Sequence, residues 1–210
     1  TAVVGQLGLA VPIGAVGIGA IIITAIYWLF GFLRMGTTGL TAQAIGSGDK
    51  PETSALLVRG VIIGFTAGLI LIIAQVPIFL GALQLSPASM EVESLAQKYL
   101  QIRVYSAPAA IALFGITGWL IAKEKTRAVL LLQLVLNGIN IALDLVFVLK
   151  LGWGVEGVAI ATLIAEWSGL IFGLWLAREG FNNGYWKNWL QIFDRVRLIQ
   201  MAKVNSDIMI

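Results

Sequence analysis

The sequence predicts an all-α integral membrane protein, a polytopic helical bundle, and three observations carry that reading. The first is composition: of 210 residues, 59% are hydrophobic and only 12% are charged, against roughly 25% charged in soluble domains. The second is run length. Residues 9–33, 59–83, 104–122, 128–149 and 157–177 are apolar stretches near or above the ~20 residues that cross a hydrocarbon core as a helix. The third is punctuation: the gaps at 46–52, 86–98, 123–127 and 150–156 hold the polar, Gly and Pro residues that end helices and read as loops.

Each span has its own signature. The first run is expected to continue as a helix beyond the membrane through Gly36 to Ile45, carrying Arg34, Thr38 and Thr41 on one face. In the second, Gly60, Gly64 and Gly68 recur every four residues, a stripe on which a neighbouring backbone can approach closely. Pro77 and Pro108 each remove a helical hydrogen bond, so kinks are predicted at both. Arg103, one turn beyond Tyr99 and beside Lys98, is expected to snorkel to the outer surface and is assigned no site. The fifth run repeats the small-residue device with Ala161, Ala165, Gly169, Gly173 and Ala177.

The fourth run carries the chemistry. Gln133, Asn137, Asn140 and Asp144 follow one another at steps of four, three and four, which sets all four on one helix face. An ionisable group at membrane depth costs several kcal/mol unless a partner or an aqueous cavity receives it, so Asp144 marks a site. Asn140, one turn away, can hydrogen-bond a carboxyl group in either protonation state. Glu166, one turn after Thr162 in the fifth span, projects beside the small-residue face and can join the same cavity. Arg34 is a further candidate for the cavity wall, with a position near the interface as its bland alternative.

Charge and composition also exclude. The net charge is +3, but Lys and Arg fall in the gaps between spans and form no basic stripe, which argues against nucleic-acid binding. The chain has no His and no Cys, hence no disulfide, no ordinary zinc or haem site and no imidazole base. An intramembrane enzyme would have to use Asp144 with Glu166 as its acid pair, a poor hydrolase. No metal or other cofactor is expected.

Placing the 46–52 loop in the cytoplasm collects Lys50, Arg59, Lys123, Lys125, Arg127, Arg178, Lys187, Arg195, Arg197 and Lys203 on that side, leaving Lys98 and Lys150 outside. Residues 180–203, with Trp186, Trp189 and Phe193 among basic residues, then read as an amphipathic linker on the inner interface. Both ends read as cut, with Thr at position 1 and a new apolar run opening at 207–210, so the chain is expected to be an internal piece of a longer protein.

Three stretches bear a family resemblance: FGFLRMGTTGLTAQA at 30–44, NGINIALDLVFV at 137–148 and GWGVEGVAIATLIAEW at 152–167. They resemble the second, fifth and sixth helices of multidrug and toxic compound extrusion (MATE) transporters of the DinF-like branch. The resemblance implies a twelve-helix antiporter of two six-helix lobes, exporting organic, often cationic, compounds in exchange for protons or sodium. Most of the N-terminal lobe would be present here: residues 1–178 as the bundle (the end of the first helix plus five spans), 179–204 as a cytoplasmic amphipathic linker, and 205–210 as the start of the next transmembrane helix.

The family's first helix ends in Val-Asp-Thr, so a partner aspartate is implied just upstream of Thr1. By position, Asn140, Asp144 and Thr162 match the polar cluster of the N-lobe cavity, with Asn137, Glu166 and Arg34 as additional cavity residues. The implied partners are a small organic substrate, the lipid bilayer and a C-terminal lobe. The implied setting is the bacterial inner membrane. Two rival readings are a lipid-linked saccharide flippase of the same superfamily, for which Arg34 is the one basic cavity candidate, and a structural subunit that transports nothing.

Overall fold

The computed structural model describes residues 10–85, 88–182 and 184–209, and every element among them is helical. The expected end of a first helix at Thr1 lies outside the described residues. Five helical stretches are long and apolar enough to cross a membrane: Ala10–Gly46, Lys50–Ile73, Met90–Ala122, Thr126–Lys150 and Gly154–Leu176. All five expected spans are thus present, four of them starting earlier than the apolar runs suggested.

The first span consists of α1 (Ala10–Trp28) and α2 (Gly31–Gly46), joined through a break at Leu29 and Phe30. A tight turn with Gly48 at φ +73°, a conformation that favours glycine, leads into α3 (Lys50–Ile73). Asp49 caps α3 by accepting the Glu52 amide at 2.9 Å, and Pro51 sits in the first turn where no donor is lost. The helix therefore starts inside the expected 46–52 loop. It breaks at Ala74, before α4 (Gln75–Gln84), because Pro77 has no N–H to offer the carbonyl four residues back.

The expected 86–98 loop is mostly helix. α5 (Met90–Arg103) is capped by Ser89, whose hydroxyl accepts the Val92 amide, and carries Glu91 and Glu93 in its first turn, where acids suit the helix dipole. A tight 3-10 turn, Val104–Ser106, accommodates Pro108 in the first turn of α6 (Ala107–Ala122), so the second predicted kink is also present. α7 (Thr126–Asp144) runs into a π-helical stretch, Leu145–Lys150, and α8 (Gly154–Leu176) completes the spans. Short turns follow, α9 (Glu179–Asn182) and α10 (Trp189–Ile192), before α11 (Arg195–Met209). α11 runs unbroken across position 204/205.

Packing follows the small residues. α3 lies against α6, and a Cβ added at Gly64 would stand 2.6 Å from the Ala112 backbone, while one at Gly68 would collide with Pro108. Gly60 and Gly115 meet backbone to backbone. On α8, Gly169 makes room for Leu136 of α7, and Gly173 faces Leu113 of α6. Because backbone cannot yield as a flexible side chain can, Gly64→Val is expected to destabilise the lobe by about 1–3 kcal/mol. Thermal unfolding of the detergent-solubilised full-length protein checks this against Gly17→Ala, a position with open space around it.

The inner end is clamped by ions. Arg59, expected among the cytoplasmic loop charges, is 2% exposed. It bonds Glu52 at 2.5 Å and donates to the carbonyl oxygens of Gln191 and Ile192 at 2.5 and 2.7 Å. Glu52 also accepts from Arg197 of α11, which reaches Asp49 at 3.3 Å as well. Nearby, Lys123 and Lys125 pair with Glu179 at 3.4 and 2.6 Å. At the opposite end Lys98 meets Glu156 at 3.7 Å. Residues placed on one side by charge counting therefore do gather at one end of the bundle.

Candidate functional site

A cavity of about 400 Å³ opens among α1, α2, α5, α6, α7 and α8. α7 contributes Gln133, Asn137 and Asn140, the first three members of the polar stripe, and α8 contributes Thr162 and Glu166. Their side chains meet because α7 and α8 form an antiparallel pair whose close approach Gly169 permits. Asn140 Nδ2 donates to Thr162 Oγ1 at 2.9 Å, and Thr162 Oγ1 donates to the Val158 carbonyl at 3.0 Å. Asn140 is thus engaged by Thr162, where the sequence suggested that it steadies Asp144.

Asp144 takes a different position. It closes α7, is 7% exposed, and is not among the cavity-lining residues, although Asn140 one turn earlier is. Its Oδ1 is buried without a hydrogen-bond partner among the described residues. The π-helical stretch begins at the next residue, so the backbone register changes just where the carboxylate sits. π-helical insertions of this kind recur at functional sites. Five of the six expected residues, Arg34, Asn137, Asn140, Thr162 and Glu166, therefore share one cavity, and Asp144 lies behind its wall.

Arg103 overturns its expected place at the outer surface. It is 5% exposed and forms a two-pronged pair with Glu166, NH1 to Oε2 at 2.9 Å and NH2 to Oε1 at 3.1 Å. Its NH1 also donates to Ser106 Oγ at 2.5 Å, and its guanidinium lies 5.9 Å from the centre of the Tyr27 ring. Tyr27 OH in turn donates to the Arg103 carbonyl at 3.2 Å. This network ties α1, α5 and α8 together across the cavity wall. A forked guanidinium-carboxylate pair is the strongest ionic geometry available to these side chains.

The position of Arg103 follows from where α5 starts. With the helix beginning at Met90, Arg103 lies about 20 Å along the continuous Met90–Ala122 stretch, well inside it rather than at its end. The Ser89 cap followed by Glu91 and Glu93 was the available signal. Arg34 lines the cavity as well; it is exposed to it and forms no ion pair among the described residues. Thr38, one turn on, donates to the Arg34 carbonyl at 2.8 Å and to the Gly118 carbonyl at 3.1 Å, which fixes the backbone that carries Arg34 against α6.

Comparison with known proteins adds independent findings. The MatE family profile matches residues 1–146. The chain is 36% identical over 211 residues to DNA damage-inducible protein F of Escherichia coli (strain K12), covering 100% of this chain and 46% of that relative, so it spans about half the relative's length. Among solved structures, an outward-facing conformation of a multidrug resistance MATE family transporter of the MOP superfamily matches with a TM-score of 0.73 at 26% identity, over 80% of this chain and 37% of that one. An inward-facing conformation described in the same words matches with a TM-score of 0.73 at 26% identity, over 79% of this chain and 38% of that one.

Proposed function

Starting from the fact that this chain belongs to the MATE family, we propose that it forms most of the N-terminal lobe of an antiporter that exports small organic compounds in exchange for protons or sodium. The chain is a multi-pass integral membrane protein. The observation that carries the coupling reading is the buried Asp144 carboxylate, which lies one helical turn from the cavity residue Asn140 and has an oxygen without a partner among the described residues. A proton or a sodium ion satisfies that oxygen in either case, since carboxylate, amide and hydroxyl oxygens serve both.

The mechanism is competition through a shared wall. Binding a cation at Asp144 removes an uncompensated negative charge from within the bundle and lets the π-helical end of α7 settle into a different register. Asn140 and Thr162, already hydrogen-bonded to each other, transmit that shift to the cavity face. Export then requires only that substrate bind one register better than the other, because a ligand shifts an equilibrium by its differential affinity alone. The lobe resembles outward- and inward-facing structures with the same TM-score, which supports alternating access by movement of whole lobes around a fixed site.

The rival chemistry loses ground for a physical reason. Glu166 is held by Arg103 and Asp144 lies behind the wall, so the two acids form no dyad facing the cavity. The setting that fits is a bacterial inner membrane with the 46–52 loop in the cytoplasm, where the clustered Lys and Arg residues favour it. The test uses the full-length protein in everted membrane vesicles, with imposed proton or sodium gradients and a panel of neutral, cationic and anionic dyes. Gradient-driven transport of at least one dye is expected, and Asp144→Asn is expected to abolish its coupling to the ion gradient. Unchanged coupling in Asp144→Asn would overturn the reading.

A further inference from the structure

The inner end of the bundle holds a second cavity, of about 420 Å³, among the end of α2, the first turn of α3, the end of α6 and α9. Two glycines shape it. Gly48, at φ +73°, turns the chain so that Lys50 reaches the cavity. Gly180 lets α9 close against the bundle, since a Cβ there would stand 2.6 Å from the Leu57 side chain and 3.1 Å from the Trp119 ring. Trp119 is a fixed part of the wall: it is buried, and its indole N–H donates to the Thr53 carbonyl at 2.8 Å, which holds α6 against α3. The lining is basic. Lys50 and Lys123 belong to it, and Lys123 and Lys125 share the Glu179 carboxylate at 3.4 and 2.6 Å, so three lysines meet one acid. The Trp119 ring steadies Lys123 further, with its centre 5.8 Å from Nζ. Asp49 and Glu52, the acids nearest Lys50 in sequence, turn instead to Arg197 and Arg59. Trp175 marks the level in the membrane. It is exposed, with the Arg178 guanidinium 4.3 Å from its ring centre, and an aromatic beside a cation anchors a helix end at the headgroup layer; Glu179 is the next residue.

We propose that this cavity binds a phosphate-bearing anion, in the form of the headgroup of an anionic phospholipid, with the phosphate oxygens between Lys50 and Lys123. An ammonium group has three donors, so Lys123 serves Glu179 and a phosphate at once. Ser54 and Asn182 add a hydroxyl and an amide for the rest of the headgroup. A basic pocket between spans at the inner face is the arrangement that takes such headgroups. Ile45, which also lines the cavity and is exposed, gives the apolar contact that the glycerol and acyl part of a lipid needs and a free phosphate does not. A lipid seated there ties the start of α3 and the end of α6 to α9. The site is independent of what the central cavity carries.

The experiment uses the full-length protein in detergent, with phosphatidylglycerol, phosphatidylcholine and inorganic phosphate as probes, and reads lipid retention by native mass spectrometry and stability by thermal unfolding. Wild type is expected to retain phosphatidylglycerol at least about tenfold better than phosphatidylcholine, the effect of two lysines at one anionic headgroup, and to unfold at a higher temperature in its presence. Lys50→Gln with Lys123→Gln is expected to lose both effects. Lys98→Gln with Lys150→Gln, which removes the same charge at the opposite end, is expected to keep them. Lys50→Gln alone leaves the Glu179 ion pairs in place and is expected to weaken the preference about threefold. Equal retention of the two lipids by wild type, or a preference unchanged in both Lys50 variants, overturns the proposal. Stabilisation by inorganic phosphate equal to that by phosphatidylglycerol overturns the lipid as the source of the anion.

Discussion

Arg103→Met is expected to destabilise the lobe by about 3–5 kcal/mol, because it strands the Glu166 carboxylate inside the bundle without its partner. The loss is larger than that of a typical surface ion pair, which is worth at most about 1 kcal/mol, since Arg103 is 5% exposed and the Glu166 side chain only 18%. Ser106 and Tyr27 lose contacts with the same guanidinium. The double variant Arg103→Met with Glu166→Met separates pairing from packing: replacing both charges by apolar groups of similar volume is expected to recover most of the lost stability. Thermal unfolding of wild type, both single variants and the double variant completes the cycle. If the double variant is no more stable than Arg103→Met, the pair is not the source of the effect.

Arg59→Met is the second large effect, and its consequence is local as well as global. Arg59 serves three acceptors at once, Glu52 and the carbonyl oxygens of Gln191 and Ile192, which come from segments more than 130 residues apart in sequence. Removing it leaves the buried Ile192 carbonyl unpaired and takes one donor each from the Gln191 carbonyl, which keeps the Asp194 amide, and from Glu52, which keeps Arg197, a loss of about 3 kcal/mol. The segment around α10 should then lift from the inner end of α3, taking the exposed Trp189 and Phe193 stack with it. Limited proteolysis in inside-out vesicles checks this. Cleavage between residues 179 and 197 is expected to accelerate in Arg59→Met, and an unchanged cleavage rate would show that the linker is held by other contacts.

Both variants concern arginines whose roles could not be read along the chain, and the reason is the same. Hydropathy reports the solvent in which a segment lies, and glycine spacing reports how closely a neighbour can come; both are local and both held, at Gly60, Gly64 and Gly68 and at the two proline kinks. An ion pair is a statement about two distant positions. Arg103 meets Glu166 across 63 residues and Arg59 meets Ile192 across 133, so the local pattern names neither partner, even where the Ser89 cap gives the position of Arg103 along its helix. The polar stripe was legible as a stripe because one helix carries all of it. That its last member, Asp144, lies behind the cavity wall was not, since the π-helical stretch that follows has no sequence signature in an apolar run.

The amphipathic start of α5 was hidden by a different cause. Its residues, Met90 to Arg103, alternate charged and apolar groups and fall below any hydropathy threshold for a span, yet they continue α6 with only a tight turn between. Capping chemistry at Ser89 would have extended the third span outward, and that alone would have carried Arg103 to membrane depth.

The glycine seam between α3 and α6 has a mechanical consequence. Two helices in contact through main-chain atoms have no side-chain cushion to compress, so they behave as a single stiff beam. α3 has 24 residues, about 36 Å at 1.5 Å per residue. A tilt of about 10° pivoting on the outer end would sweep Glu52 through about 5–6 Å and Arg59 through about 4 Å by the same geometry. Glu52 and Arg59 share that helix and would move together, so the contacts put at stake are those to the Gln191 and Ile192 carbonyls and to Arg197, and the seam thereby links the angle of α3 at one end of the bundle to the seating of the 189–197 segment at the other.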